Sequence, residues 1–267
     1  MLTEREKEYY ERQLLLKEMT QESQDKLKEA SVLVIGAGGL GCPALIYLAT
    51  AGVGKIGIVD FDEVSISNLH RQVLYTFNDL GKKKAEIAAK RINKLNPFVK
   101  VEIFTCKVEK SNIHKLISQY QVILDCPDNY ETRYIVEKAA AEQNKTVIYG
   151  SVFCFEGQIV TFKPNTACYY CAFPGNMEGR NQDIYSKKGI FPPITAIIGT
   201  IQASEAIKEI LDINMAQPST MCTVNLLNNS VREYQIEKNE DCPICGAKKR
   251  SVYESQKYKS LSHRTSI

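Results

Sequence analysis

The chain has 267 residues, 44% of them hydrophobic and 24% charged, with a net charge of +3. It is long enough to bury a sizeable core, and no apolar run reaches the roughly 20 residues a membrane helix requires. The charge is uneven: residues 247–267 carry six Lys/Arg against Glu254, so the tail is +5 and the remainder −2, which excludes a basic nucleic-acid-binding body.

Charges alternate around Tyr9, Leu14, Leu15 and Leu27 in residues 3–29, predicting one or two surface helices in an N-terminal arm over 1–29. Ser31–Ile35 is apolar on both faces and predicts a buried strand, followed by a helix over 40–51. Lys55–Val59 predicts a second strand ending at Asp60. A helix over 82–93 stops before Asn96-Pro97, and a third strand is predicted over 99–104. A short helix over 113–119, a strand over 122–124, a helix over 131–144 and a strand over 146–149 complete the alternation. Strands alternating with helices predict a Rossmann-like, doubly wound, mostly parallel α/β sheet. Antiparallel strands are then expected over 151–155, 158–162, 220–227 and 231–236, with a long helix over 194–211 and a hairpin at Asn228-Asn229-Ser230. These later elements are expected to extend the same sheet within one domain over 30–246, and the Ser/Lys/Tyr-rich tail over 247–267 is expected to be disordered.

Nine cysteines without a secretion-like N-terminus argue against a disulfide framework and for a cytoplasmic protein. Cys168-Tyr-Tyr-Cys171 and Cys242-Pro-Ile-Cys245 form two C-x-x-C pairs 70 residues apart. That pattern fits a tetrahedral thiolate zinc site, structural because four sulfurs leave no position for water; a redox disulfide is the weaker alternative. Cys42, Cys106, Cys126, Cys154 and Cys222 sit in or beside apolar runs and are expected to be mostly small core residues.

Gly36, Gly38 and Gly41 match G-x-G-x-x-G between a strand and a helix, the pattern that lets phosphate approach a helix N-terminus. Asp60 lies 19 residues beyond Gly41, where a carboxylate can bind ribose hydroxyls. These residues alone favour a dinucleotide such as NAD. Asn68, Arg71 and Gln72 follow closely, Gly81-Lys82-Lys83-Lys84 opens the next helix, and Asp128-Asn129 follows the fourth strand. Hydride transfer has little use for several cations beside a carboxylate. A nucleoside triphosphate does, with cations against phosphates and Mg2+ at Asp128.

Several segments match one family in order over residues 10–246. They are Tyr10-Glu-Arg12-Gln13, the turn 36–41, Asp60-Phe-Asp62, Ser67-Asn68-Leu-His-Arg71-Gln72, Gly81 with Lys84, Asp125-Cys-Pro-Asp128-Asn129, Glu156-Gly157-Gln158, the residues 199–206 and both cysteine pairs. The chain resembles the ThiF/MoeB/HesA adenylyltransferases, relatives of the ubiquitin-activating enzymes. The resemblance implies a homodimer that uses ATP to activate the C-terminal glycine of a ubiquitin-like sulfur-carrier protein ending in Gly-Gly, for molybdopterin or thiamine biosynthesis. It implies ATP contacts at Gly39, Asp60, residues 67–71, Lys84, Asp128 and Asn129, and places Arg12 in the partner subunit's ATP site. Arg12, Arg71, Lys84 and Asp128 are the expected catalytic set, and Gly36, Gly38, Gly41, Asp62, Ser67, Asn68 and Gln72 join the nucleotide site. Many relatives carry a cysteine nucleophile in the crossover loop, but residues 172–194 contain none, which points to an acyl-adenylate handed to a separate sulfur donor. The alternatives are adenylation of a peptide or other carrier in a specialised pathway, a binding module without turnover, and an NAD-dependent oxidoreductase.

Overall fold

A computed structural model describes residues 1–174, 189–213 and 217–246. The expected tail 247–267 and most of the crossover loop lie outside the described residues. Eight strands form one sheet in the order β3-β2-β1-β4-β5-β6-β7-β8. These are β1 Ser31–Ile35, β2 Lys55–Val59, β3 Lys100–Phe104, β4 Val122–Asp125, β5 Thr146–Phe153, β6 Glu156–Phe162, β7 Thr220–Asn225 and β8 Ser230–Gln235. The first five run parallel, and β6, β7 and β8 add on antiparallel.

Helices cover both faces, as buried parallel strands require. On one face α4 (Gly41–Thr50), α5 (Lys84–Leu95) and a 20-residue helix, α9 (Pro192–Leu211), pack on Val32, Val34, Ile56, Ile58 and Leu124. On the other, α6 (Ile113–Ser118) and α7 (Tyr130–Glu142) pack on Leu33, Ile35, Val59 and Ile123. The alternation of Val32/Val34 with Leu33/Ile35 between these two cores is the period-2 pattern of a strand buried on both sides.

Three expectations are corrected. Strands expected over 146–149 and 151–155 are one strand, β5, which pairs parallel with β4 through Val147 and Tyr149 and antiparallel with β6 as far as Phe153. Gly150 does not break it: a Cβ there would lie 2.4 Å from the Gln202 side chain, so the glycine marks a close approach of α9. Cys154 is not a strand residue but turns the β5–β6 hairpin with φ +52°. The arm forms three short helices, α1 (Glu4–Tyr9), α2 (Glu11–Leu14) and α3 (Gln21–Glu29).

Strand order reverses between β1 and β4, with Ile35 paired to Asp125 at their C-terminal ends. Ligands of such sheets bind in the crevice outside that switch point. The glycine turn leaves β1 and the Asp125–Asn129 loop leaves β4 side by side there.

Candidate nucleotide site and cysteine cluster

Gly36 has φ +93°, a conformation that strains any residue with a side chain, and a Cβ on it would lie 3.0 Å from the Cys126 carbonyl oxygen. A Cβ on Gly41 would lie 1.9 Å from the Gly36 oxygen, so only glycine lets the turn close onto the start of α4. The Ala37 peptide is held at both ends. Its N–H donates to Asp60 Oδ2 at 2.8 Å, and its carbonyl accepts from Tyr75 Oη at 2.7 Å. Asp60 Oδ1 accepts from the Asp62 N–H at 2.9 Å. Each Asp60 oxygen keeps a lone pair for a ribose hydroxyl. Burial raises the Asp60 pKa, opposed by the Ala37 N–H and Lys84.

Lys84 begins α5, and its side chain is only 6% exposed. Its ammonium lies 2.9 Å from Asp62 Oδ2, which leaves donors for a phosphate. Arg71 Nη1 donates to the Ser67 carbonyl at 3.0 Å, and among the described residues no carboxylate engages the rest of the guanidinium fork. The Asn68 carbonyl, at the end of a 3-10 turn over Ile66–Asn68, accepts from the N–H groups of both Arg71 and Gln72. Gln72 is buried, its Oε1 has no hydrogen-bond partner among the described residues, and its Nε2 is 3.5 Å from where a Gly38 Cβ would stand. Gly39 faces Arg71 and Thr195, the latter on the first turn of α9. A shallow cleft of about 180 Å³ opens here, lined by Pro43, His70, Arg71, Val73, Pro192 and Thr195.

Asp128 is exposed after β4 and has no hydrogen bond or ion pair among the described residues. A free carboxylate of this kind fits Mg2+, which takes one or two carboxylates and fills its other positions with water and substrate phosphate. Asn129 has a different use for its side-chain oxygen, which caps α7 by accepting from the Thr132 N–H at 2.9 Å. Arg12 is not brought to this site. It is exposed on α2, whose neighbour Gln13 donates to the Ala51 carbonyl at the far end of α4. The ten residues of α4 separate that anchor from the glycine turn by about 15 Å.

Cys168, Cys171, Cys242 and Cys245 bring four sulfurs within 4.8 Å of one another. Spacings of 3.9, 3.5 and 3.4 Å bracket the ~3.8 Å edge of a tetrahedron with 2.3 Å metal–sulfur bonds. Backbone N–H groups of Asn239 and Ile244 reach Cys171 and Cys242 Sγ at 3.5 and 3.4 Å, so the cluster already carries donors to thiolate. Hydrogen bonds from Cys168 and the other two thiols lower Cys245 to about 5. Cys168 and Cys171 flank or sit on α8 (Tyr169–Ala172), a one-turn helix not expected from the sequence. Of the remaining cysteines, Cys42 and Cys126 are buried, and burial pushes the Cys42 thiol up to about 12. Cys106, Cys154 and Cys222 are half-buried.

Residues 10–244 match the model of the ThiF family. The chain belongs to the ThiF family. The sulfur carrier protein adenylyltransferase of Thermus thermophilus is 38% identical to this ThiF-family chain over 91% of it and 92% of the relative. A probable molybdopterin-synthase adenylyltransferase of Porphyra purpurea is 44% identical over 85% of the chain, which spans 60% of that relative. The crystal structure of E. coli MccB with ATP superposes with a TM-score of 0.75 at 25% identity, covering 84% of this chain and 68% of MccB.

Sequence reasoning missed Tyr75, Arg133 and Gln202, all of which hold the loops of this site. Arg133, Val136, Glu137 and Ala140 recur at helical spacing on the buried face of α7, and Gln202 interrupts the apolar stripe of α9 at Ile198, Ala203 and Ala206. A polar residue inside an apolar stripe was the available signal.

Proposed function

We propose that this ThiF-family chain is an adenylyltransferase that joins AMP from ATP to the C-terminal glycine carboxylate of a ubiquitin-like sulfur-carrier protein. One observation carries the reading. The glycine turn, Arg71, Lys84 at the start of α5 and the free carboxylate of Asp128 all lie in the segments that follow β1, β2 and β4 at the C-terminal edge of one sheet. The relatives named as adenylyltransferases support the same chemistry.

In this reading a carboxylate oxygen of the carrier attacks the α-phosphorus of ATP. The bond from that phosphorus to the α,β-bridging oxygen breaks, and pyrophosphate leaves with its electron pair. No general base is needed, because a C-terminal carboxyl is ionised near neutral pH. The obstacle is an anion approaching a polyanion. One charge pair ~4 Å apart at an effective dielectric of about 20 contributes roughly 4 kcal/mol. Felt only in the transition state, that is about a thousandfold in rate. Arg71 and Lys84 supply such charges from this chain, and Arg12 supplies one across a homodimer. Mg2+ held by Asp128 would neutralise phosphate charge. Zinc in the four-cysteine cluster would be structural, tying α8 to the chain's 242–245 segment. Nine cysteines free of disulfides fit a cytoplasmic setting.

Carrier-dependent exchange of labelled pyrophosphate into ATP tests the proposal. A carrier ending in Gly-Gly should support exchange, and Asp128→Ala or Arg71→Ala should each suppress it by about two to three orders of magnitude. Exchange with a peptide but not with a carrier would move the acceptor to a specialised pathway. Tight NADH binding without ATP binding would overturn the reading.

A further inference from the structure

The segment Asp125-Cys126-Pro127 is gripped from both faces of the sheet. From the α7 side, Arg133 Nη1 donates to Asp125 Oδ2 at 2.9 Å and Nη2 donates to the Pro127 carbonyl at 2.5 Å. The two side chains are 6% and 3% exposed, and the guanidinium lies 4.6 Å from the centre of the Tyr149 ring. From the α9 side, Gln202 is fully buried. Its Nε2 donates to the Asp125 carbonyl at 3.1 Å and to the Ile148 carbonyl at 3.0 Å, while its Oε1 accepts from Cys126 Sγ at 3.5 Å.

The side-chain hydrogen bonds of both residues end on Asp125, Cys126, Pro127 and Ile148, and not on Asp128 or the glycine turn. Between them they engage the side chain and carbonyl of Asp125, the thiol of Cys126 and the carbonyl of Pro127. Those are the three residues that precede Asp128. The same segment is in contact with the glycine turn, because the position of a Gly36 Cβ is 3.0 Å from the Cys126 oxygen. A shift of the segment therefore alters the distance between the phosphate turn and the carboxylate of Asp128.

Burying an arginine–carboxylate pair is a poor way to gain stability, since desolvation offsets most of the attraction. The Asp125 carboxyl shows the cost: burial raises its pKa to about 6 even against Arg133. Asp125 Oδ1 has no hydrogen-bond partner among the described residues. What the fork supplies instead is geometry, two bonds in fixed directions to two points of one loop.

We propose that Arg133 and Gln202 are positioning residues that hold Asp128 in register with the glycine turn, setting its affinity for Mg2+ without touching nucleotide. The proposal rests on the reading of Asp128 as the Mg2+ carboxylate. Partners that orient a metal ligand typically change metal affinity 10- to 100-fold when removed. Lysine retains the charge opposite Asp125 but cannot make both bonds of the fork.

The test uses the full-length protein with Arg133→Lys and, independently, Gln202→Met. Three quantities are measured: the Mg2+ concentration giving half-maximal pyrophosphate exchange, ATP binding without Mg2+, and hydrogen–deuterium exchange of a peptide spanning residues 124–130. Arg133→Lys should raise half-saturating Mg2+ by about tenfold. It should also speed amide exchange in that peptide and leave Mg2+-free ATP binding unchanged. Gln202→Met should move the same readouts in the same direction. A folded variant with wild-type Mg2+ dependence and wild-type amide exchange would overturn the proposal. So would loss of the fold in both variants, which would assign the grip to the core alone. Asp128→Ala separates the two readings. If it leaves Mg2+ dependence untouched, the Mg2+ assignment fails. If it shifts that dependence while the other two variants do not, the positioning role fails.

Discussion

The Ala37 peptide shows how much of the phosphate turn is set by side chains that grip its backbone. Asp60 fixes its N–H and Tyr75 its carbonyl, and Cys42 Sγ reaches the same carbonyl at 3.4 Å. Tyr75→Phe keeps the ring and deletes the stronger donor. We expect it to cost about 1 kcal/mol in denaturant unfolding and to weaken ATP binding several-fold, with no change in zinc content. Unaltered nucleotide affinity would mean that Asp60 alone shapes the turn. Glycines and acids of the site were legible in sequence because their spacing encodes backbone shape. Tyr75 and Gln202 were not, because each makes its contact through a fold that joins segments distant along the chain, and Arg133, only eight residues from Asp125, reads in sequence as one more charge on a helix. Gln202 lies 77 residues from the Asp125 carbonyl it holds.

At the scale of elements, β1, β2 and β4 were legible as short, mostly apolar runs bounded by turn residues, and β3 as the alternation Lys100-Val-Glu-Ile-Phe104. β5 was read as two strands because Gly150 resembles a break. Its cause is α9, which no local pattern reports. α8 was invisible for a related reason: four residues make one turn, too short for a helical period. The cysteine pairs on and around it were read correctly as a cluster, since C-x-x-C spacing survives ignorance of the backbone. Metal analysis should find one zinc per chain. Cys171→Ser or Cys245→Ser should lower metal content, and the melting temperature should fall about 2–4 °C for each kcal/mol lost. Full metal retention in the double variant would remove zinc from the cluster.

For the whole molecule, the strand order places the glycine turn and Asp128 at one edge, while the arm is anchored beyond the other end of α4. Asn96 Nδ2 donates to Tyr10 Oη and the Ala49 carbonyl, both at 2.7 Å, which fastens the arm at that far end. Arg12 therefore belongs to a site only if a second chain supplies it. Mixing inactive Arg12→Ala chains with inactive Asp128→Ala chains should restore up to a quarter of wild-type activity, through the one intact site of each mixed dimer. No recovery despite proven subunit exchange would remove Arg12 from the site. No single chain's sequence shows which surface meets a partner, and here the resemblance alone raised the question.

The absence of a cysteine over 172–194 sharpens the chemistry at this scale. Without a thiolate in that loop, activation should end at a non-covalent carrier-adenylate awaiting an external sulfur donor. Mass spectrometry of the protein incubated with ATP, Mg2+ and a Gly-Gly-ended carrier measures this directly. The expected spectrum contains carrier heavier by one adenylyl group and no enzyme–carrier adduct that reductant removes, in wild type and in Cys154→Ala and Cys222→Ala alike. Carrier of unchanged mass under conditions that bind ATP would contradict adenylylation itself. An adduct lost on mutating either cysteine would show a second chemical step, attack of that thiolate on the acyl carbon of the carrier-adenylate with release of AMP.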